Sequence, residues 1–326
     1  MPDRLAPKND ARSTAVQRDD YDSPWKEVLD RWHRQFIEFF FPRAAADIEW
    51  SRGYEFLDKE LQKVTRRAVV GRRHVDKLIK VWRRSGDETW VLIHTEIQGN
   101  REGSFARRLY SYHSRLMDRY NRPVATLVVL ADDYPEWRPD HYEHELWGCR
   151  ALLEFPCVKL LDYRDRLTEL EVSENPFALV VLAQLAATAT RRDPSARLER
   201  KIGLTRRLYR RGLEREDILS LYAFIDWVLA LPDALEEDYH RYIQTIEEAA
   251  HMQYVTTAER IGIQKGRQEG RQEAQRELLE QLLMGRFGSL PASAVARLAG
   301  ADSAQLAIWF QRGVTASTLD AVFGPE

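Results

Sequence analysis

The chain has 326 residues, of which 44% are hydrophobic and 31% are charged, and its formal net charge is -2. This length corresponds to about two domains at roughly 150 residues each, and the hydrophobic content excludes a wholly disordered protein. The balanced charge excludes a protein that is basic over its whole surface. It leaves open a segregation of charge between different parts of the chain.

The two cysteines, Cys149 and Cys157, are too few for a disulfide framework and lack the spacing of a zinc site. They are typical of a reducing compartment, so we expect a cytoplasmic protein. The N-terminal residues lack the apolar core of a signal peptide. The most apolar run, 176–190, is shorter than the ~20 residues that a membrane span needs, so we expect no membrane partner.

The first half of the chain alternates between helical and strand periodicity. Residues 1–20 are polar and predict a disordered tail. Between Pro24 and Pro42, apolar residues recur every three or four positions and predict a helix. The next predicted elements are strands at 54–64, 73–82 and 89–98, a turn at 85–87, a helix at 103–120 and a strand at 124–131. This order predicts an α/β core in which a mixed sheet is flanked by helices.

The second half of the chain is predicted to be helical. A helical extension is expected over 136–256, with helices at 176–190, 198–211, 216–229 and 236–254. The stretch 257–283 is a separate helix with glycines four residues apart, at Gly262, Gly266 and Gly270. A small helical C-terminal unit is expected over 284–326, with helices at 291–298, 304–312 and 317–323.

Two carboxylates, Asp76 and Glu96, lie in strands that otherwise carry many apolar residues. Pairing of these strands through the turn at 85–87 would bring the carboxylates close together, where they repel unless a cation lies between them. Mg²⁺ is the natural candidate because it is a hard cation that binds carboxylate oxygens, and Mn²⁺ is the alternative ion. The competing interpretation is that both are edge-strand charges that face water.

The order of elements, with Val75-Asp76 on the second strand and 94–98 (His-Thr-Glu-Ile-Gln) on the third, resembles the PD-(D/E)XK nuclease superfamily. The chain is most similar to the Rpn recombination-promoting nucleases, also described as YhgA-like transposases. The resemblance covers roughly residues 21–135. It implies a restriction-endonuclease-like core and a metal-dependent DNA endonuclease that hydrolyses phosphodiester bonds. Further matching residues are 22–26 (Asp-Ser-Pro-Trp-Lys), 56–60 (Phe-Leu-Asp-Lys-Glu), Arg107, Arg108, Tyr110, Tyr112 and 118–120 (Asp-Arg-Tyr).

The resemblance assigns roles to the residues of the candidate site. It implies that Asp76 and Glu96 bind the metal and that the main-chain carbonyl of Ile97 is a third ligand. Gln98 stands where the superfamily usually has lysine. An amide can form a hydrogen bond but carries no positive charge, so water activation shifts to the metal. Glu27, on the polar face of the first helix, is an auxiliary catalytic candidate, and a solvated helix charge is its alternative interpretation.

Basic residues flank the candidate site. Residues 62–84 carry a net charge of +8 and residues 101–122 a net charge of +4. Such segments can contact the phosphates of double-stranded DNA without reading its sequence, although charged helix faces are usually only solvated. The resemblance adds a lysine of the first helix to these contacts. The candidate DNA-binding residues are Lys26, Arg72, Arg73, Lys77, Lys80, Arg108, Arg115 and Arg119.

Two other functions remain open. The chain could keep the nuclease fold and bind DNA without cleaving it. It could also be an oligomerising protein, because glycines at every fourth residue of 257–283 leave a groove where a second helix can pack. Each glycine costs a helix about 1 kcal/mol relative to alanine, which such packing would offset, whereas the alternative is an exposed spacer. The acidic segments 132–174 and 214–248 are unsuited to DNA contact.

Overall fold

The protein has a mixed α/β fold in a computed structural model that describes residues 24–65, 74–96, 104–249 and 257–324. Within these ranges, no helix combines the length and the apolar content needed to cross a membrane. The strands are β1 (Glu55–Phe56), β2 (His74–Trp82), β3 (Glu88–Glu96), β4 (Val124–Leu130), β5 (His141–Leu146), β6 (Cys149–Glu154) and β7 (Cys157–Lys159). The helices are α1 (Pro24–Phe40), α2 (Pro42–Asp47), α3 (Asp58–Thr65), α4 (Phe105–Tyr120), α5 (Leu167–Val172), α6 (Pro176–Ala189), α7 (Pro194–Tyr209), α8 (Arg215–Val228), α9 (Asp233–Ala249), α10 (Thr257–Phe287), α11 (Ala292–Gly300), α12 (Ser303–Thr315) and α13 (Leu319–Phe323).

Helix α1 forms where the apolar periodicity predicts it. Pro24 suits the first turn, and the apolar side chains of Trp25, Leu29 and Phe36 are fully buried along one side. The helix bends at Trp32, where φ is -128° and ψ is 37°. It ends before Pro42, which begins α2, because proline has no amide to continue the hydrogen-bonding pattern of the helix.

A five-stranded sheet lies at the centre, in the order β1-β2-β3-β4-β7. The first three strands are antiparallel, whereas β3, β4 and β7 run parallel. The turn between β2 and β3 is closed by the Arg83 amide, which donates to the Asp87 carbonyl at 2.8 Å. Helix α4 connects the parallel strands β3 and β4, as such a pair requires. The predicted hairpin, helix and fourth strand are therefore confirmed.

The strand predicted at 54–64 is wrong beyond its first residues. Strand β1 has two residues, and the chain forms α3 from Asp58 onward. Leu57 and Leu61 are both buried, and their spacing of four residues is that of a helix. Acidic residues in the first turn and Lys63 in the last turn also complement the helix dipole.

Residues 141–159 contain strands that the sequence did not predict. Strands β5 and β6 form a separate antiparallel hairpin, and β7 pairs with β4 and extends the central sheet. At the hairpin turn, Trp147 and Gly148 both have positive φ, of 52° and 81°, as tight two-residue turns require. The expectation of a purely helical extension over 136–256 is therefore wrong for this part.

The main hydrophobic core joins the sheet to helices from both halves of the chain. Phe36 of α1 packs against Phe177 of α6, with ring centroids 5.2 Å apart, and Trp25 packs against Phe224 of α8 at 5.3 Å. Ile79 of β2 belongs to the same cluster. The helices predicted after 175 are confirmed as α6, α7, α8 and α9, the last as far as Ala249. The core thus crosses the domain boundary expected near residue 135.

Helices α10 to α13 share a second core. Leu279 and Leu283 of α10 pack with Leu298 of α11, Trp309 of α12 and Phe323 of α13. The three short helices agree with the predicted C-terminal elements, and the predicted glycine-spaced helix continues to residue 287. Helix α12 begins with a capping box, in which an aspartate and a glutamine satisfy each other's backbone amides.

Candidate metal and nucleic-acid site

Asp76 and Glu96 occupy neighbouring positions on one face of the central sheet. In the register of β2 and β3, Asp76 is opposite His94, and Glu96 lies two positions beyond His94. Opposite residues share a face, as do positions two apart along a strand, so the two carboxylate positions are diagonal neighbours. Such neighbours are about 7–8 Å apart. Both lie at the open end of the hairpin, opposite its turn, so the expected strand pairing is confirmed.

Several residues predicted for the site lie outside the described residues. Ile97, Gln98, Arg72 and Arg73 belong to this group, and the side chains of the two strand carboxylates are also not described. Among the side chains in the described part of the chain, no group of three His, Cys, Asp or Glu residues could hold a metal ion. The metal site therefore stays a prediction whose structural support is the backbone register.

Helix α4 packs on the same face of the sheet. The strand rows that contain Asp76 and Glu96 continue into β4 at Val128 and Leu130, respectively. These two apolar residues pack against the first two turns of α4. The start of the helix therefore lies level with the candidate site, and the rest of the helix runs away from it toward the hairpin turn.

A polar pair interrupts the apolar packing farther along this face. The ring nitrogen Nδ1 of His113 on α4 and the hydroxyl of Thr126 on β4 share a hydrogen bond of 3.1 Å. Desolvation by burial lowers the pKa of His113, so the neutral ring is favoured. The pair lies between an apolar cluster around Trp90 and a second one around Val128. The apolar packing on this face is thus divided into two clusters, whereas the apolar packing on the opposite face forms one continuous cluster.

Lys77 lies inside the protein, on the opposite face from Asp76. It is 2% exposed and forms ion pairs with Asp30 of α1 and, at 2.8 Å, with Asp58 of α3. A buried lysine held by two carboxylates cannot reach a phosphate on the surface. We therefore withdraw Lys77 from the predicted DNA contacts. The sequence did not indicate this burial, because the two carboxylates that pair with Lys77 come from distant parts of the chain.

Other basic residues of β2 and its turn are engaged within the protein. The ammonium of Lys80 lies 2.5 Å from Glu55, and this hydrogen bond raises the pKa of Lys80. Arg83 pairs with Asp47 at 2.6 Å, which raises the pKa of the guanidinium. Both side chains remain partly exposed. The described part of the basic segment 62–84 is therefore largely compensated by acidic neighbours, which weakens it as a DNA-binding surface.

The arginines of α4 are the better candidates for phosphate contact. Arg115 and Arg119 are exposed on α4, whereas Arg108 is half-buried with its guanidinium 5.6 Å from the ring of Phe105. Arg108 to Arg119 spans eleven residues, or roughly 16 Å of helix. Because α4 begins level with the candidate site, these residues form a basic track that leads away from it.

Lys26 and Glu27 lie in the first turn of α1. Glu27 is exposed and Lys26 is half-buried, next to the fully buried Trp25. The acidic residue complements the positive end of the helix dipole, which explains its position without any catalytic role. The structure does not bring Glu27 into a described contact with the carboxylate positions of the sheet, so its auxiliary role stays a prediction.

A buried ion pair near the site was not predicted from the sequence. The ammonium of Lys159 on β7 donates to both carboxylate oxygens of Asp132 at 2.8 Å and to the Trp137 carbonyl at 2.9 Å. Lys159 lies in the same strand row as Leu130 and Glu96. The pair therefore fixes the loop after β4 beside the candidate site. In the sequence, the signal for this ion pair was Asp132, which closely follows the apolar strand β4.

These contacts show how the candidate site is supported on each side, with the sheet below it and α4 beside it. A comparison of the chain with protein-family models, with characterised proteins and with solved structures finds no match.

Proposed function

We propose that the protein is a metal-dependent DNA endonuclease of the recombination-promoting, transposase-like type. One observation carries the proposal: Asp76 and Glu96 are diagonal neighbours on one face of the sheet, level with the start of a helix that presents arginines to solvent. Carboxylates on one face at this spacing fit a shared divalent cation. Arginines beside such a site fit a phosphodiester substrate.

Each residue of the predicted metal site would have its own role in catalysis. Asp76 and Glu96 would hold the ion through their carboxylates, with the Ile97 carbonyl as a further ligand. Bound Mg²⁺ supplies a water of lowered pKa and stabilises negative charge on a phosphate. Gln98 would orient the attacking water through a hydrogen bond, because its amide cannot provide the positive charge of a lysine.

The α4 arginines would hold the DNA backbone. Their span of roughly 16 Å corresponds to about five base pairs, at 3.4 Å for each base pair along one strand. Contacts of this kind position a duplex without reading its sequence. The proposal therefore predicts an endonuclease with little sequence preference from this surface.

The order of elements also supports the proposal. Helix α1, strands β1 to β3, helix α4 and strand β4 follow one another in the order that the resemblance to the PD-(D/E)XK superfamily and its Rpn branch implies, with α2 inserted before β1 and α3 inserted between β1 and β2. The antiparallel β2–β3 pair and the parallel β3–β4 pair agree with a mixed sheet. The two-residue β1 is shorter than the first strand expected from the resemblance.

A plasmid-nicking assay in Mg²⁺ tests the catalytic assignment. Replacing Asp76 by asparagine keeps the size of the side chain but removes its charge, so the Asp76→Asn protein should nick at least about 100-fold more slowly. That factor corresponds to a loss of about 2.7 kcal/mol in transition-state stabilisation. The matched control is Asp165→Asn, at an exposed aspartate in a different part of the fold, and it should nick at the wild-type rate. Equal nicking by wild type and Asp76→Asn would refute the assignment.

The second candidate function is DNA binding without cleavage. It is favoured by Gln98, which lacks the charge that superfamily members usually place there. This candidate predicts salt-sensitive binding in a mobility-shift assay and no cleavage in Mg²⁺ or Mn²⁺ at any protein concentration. Absence of any mobility shift at low salt would instead favour an interaction protein whose basic residues serve ion pairing, as Lys80 and Arg83 do.

A further inference from the structure

A cleft of about 510 Å³ lies between the end of α1 and the segment that leads into α6. One side is formed by the last residues of α1 and the start of α2. The other side is formed by the 3₁₀ helix Leu160–Arg166, by α5 and by residues 173–175. Sites for small molecules have volumes of about 300–1,000 Å³. The cleft is on the α1 side of the central sheet, whereas Asp76 and Glu96 occupy the face under α4.

Three aromatic rings line the cleft. The ring of Phe39 stacks on Tyr163, with centroids 5.5 Å apart and planes 18° apart, and Phe40 meets the same tyrosine edge-on at 6.1 Å. Pro42 and Leu170 add apolar surface. These walls favour a ligand with a flat apolar body, because binding removes apolar surface of both partners from water.

The charged side chains that line the cleft already have partners of opposite charge. Arg166 donates from two nitrogens to one oxygen of Glu169, at 2.9 and 2.7 Å. Glu38 accepts from Arg34 at 2.8 Å. A charged ligand would therefore lose its hydration in the cleft without finding an opposite charge that is still unpaired among these residues. An uncharged ligand avoids this cost.

The hydroxyl of Tyr163 differs from these paired groups. Tyr163 is 8% exposed, and its hydroxyl forms no hydrogen bond with the part of the chain that the structure describes. The oxygen is not enclosed by protein atoms, so it opens into the cleft that the residue lines. Burial raises the pKa of Tyr163, so the phenol keeps its proton and can both donate and accept a hydrogen bond. A polar group in such a position favours a ligand that supplies the missing partner.

The loop that closes one side of the cleft is held in place by hydrogen bonds. The side chain of Asn175 accepts from the Phe177 amide at 2.9 Å and donates to the Gln35 carbonyl of α1 at 3.0 Å. Arg211 donates to the Ser173 carbonyl at 2.7 Å. The cleft is therefore formed before any ligand enters, which lowers the entropic cost of binding.

We propose that this cleft binds a small uncharged aromatic compound whose hydroxyl or amide group forms a hydrogen bond with Tyr163. The aromatic walls select a ring, the paired charges select against a charged compound, and the tyrosine hydroxyl selects a polar group at one position. The site is separate from the candidate metal site, so this inference does not rest on the proposed nuclease function.

Isothermal titration calorimetry at neutral pH tests the class of ligand. The probes are three naphthalene compounds of nearly equal size: 2-naphthalenemethanol, which is uncharged, 2-naphthylmethylamine, which is a cation, and 2-naphthoate, which is an anion. We expect the wild-type protein to bind the alcohol with a Kd of about 0.1–1 mM, as is usual for so small a ligand. Both charged compounds should bind at least about fivefold more weakly.

A matched pair of variants tests the role of the tyrosine. Tyr163→Phe removes only the hydroxyl, so it should weaken binding of the alcohol by about 3- to 10-fold, the effect of losing one hydrogen bond. Tyr242→Phe makes the same change at an exposed tyrosine of α9 and should bind the alcohol as the wild type does.

Four outcomes would overturn the inference. These are no binding of the alcohol by the wild-type protein, equal or tighter binding of the amine or the acid, equal affinity of Tyr163→Phe and wild type, and an equal loss in Tyr242→Phe. Plasmid nicking is measured without these compounds and bears only on the proposed function. The two proposals can therefore stand or fail separately.

Discussion

The two faces of the central sheet are built differently. The face that packs against α1 and α6 belongs to one continuous apolar cluster that extends to α8. The face under α4 carries two smaller clusters, separated by the hydrogen bond between His113 and Thr126. Asp76 and Glu96 occupy positions at the end of this second face.

This difference shows how one sheet can serve two purposes. Close-packed apolar side chains supply most of the stability of a domain, whereas buried polar groups lower stability unless they are paired. The face toward α1 contains the buried Lys77, whose charge is neutralised by Asp30 and Asp58. The face toward α4 retains polar positions at its open end, where a candidate site can form without disturbing the main core.

The largest expected effect concerns the continuous face. Phe36→Ala should lower the free energy of unfolding by about 3–5 kcal/mol, because the ring is fully buried among other rings of the main cluster. Urea denaturation measures this change. Gln35→Ala, one residue away and only half-buried, should change stability by less than about 1 kcal/mol. Similar losses in the two variants would contradict the role assigned to this face.

The next effect sharpens the contrast on the α4 side. The double variant Arg115→Ala, Arg119→Ala should change the free energy of unfolding by less than about 1 kcal/mol, because both side chains are on the surface. It should weaken duplex binding and reduce the slope of log affinity against log salt by ~2, about 0.9 for each lost phosphate contact. A salt titration of duplex binding measures the slope. An unchanged slope would remove these arginines from the DNA surface.

The smallest effect is a pH dependence on the α1 side. Desolvation by burial lowers the pKa of His33 below its usual 6.5, despite the opposing influence of Asp30. Below about pH 6.5, His33 is protonated more readily in the unfolded chain than in the folded chain. The folded state therefore loses stability as pH falls below that value. His33→Phe should lose less stability than wild type between pH 7.5 and 5.5 in urea denaturation. The exposed His144→Phe serves as control, and an identical pH dependence in all three proteins would refute this origin.

Local patterns were sufficient to predict much of the fold. The spacing of apolar residues predicted α1 and α4, and the turn at 85–87 predicted the β2–β3 hairpin. The prediction failed at 54–64, where the apolar residues Leu57 and Leu61 fit a helix as well as a strand. It also missed β5 and β6, although the glycine at 148 separates two six-residue segments that suit a hairpin.

The candidate site was less predictable because its charges depend on distant partners. The sequence placed Asp76 and Glu96 on paired strands, and the register agrees. It did not show that Asp30, which precedes Lys77 by 47 residues, would pair with that lysine inside the protein. Residue types alone do not distinguish a lysine that faces DNA from one that is neutralised in the core, because only the tertiary fold decides which carboxylates lie nearby.

The edges of the central sheet have a consequence for the behaviour of the protein at high concentration. The outermost strands, β1 and β7, have only two and three residues, so each edge offers few unpaired backbone groups to a strand from another molecule. The hairpin β5–β6 has longer edges, and Glu143 and Glu145 lie along one of its strands. Glu143 is paired with Arg150 of the neighbouring strand at 2.7 Å, so this edge is lined by charged side chains of both signs. We therefore expect both sheets to resist growth into aggregates, one because its edge strands are short and the other because charged residues lie along it.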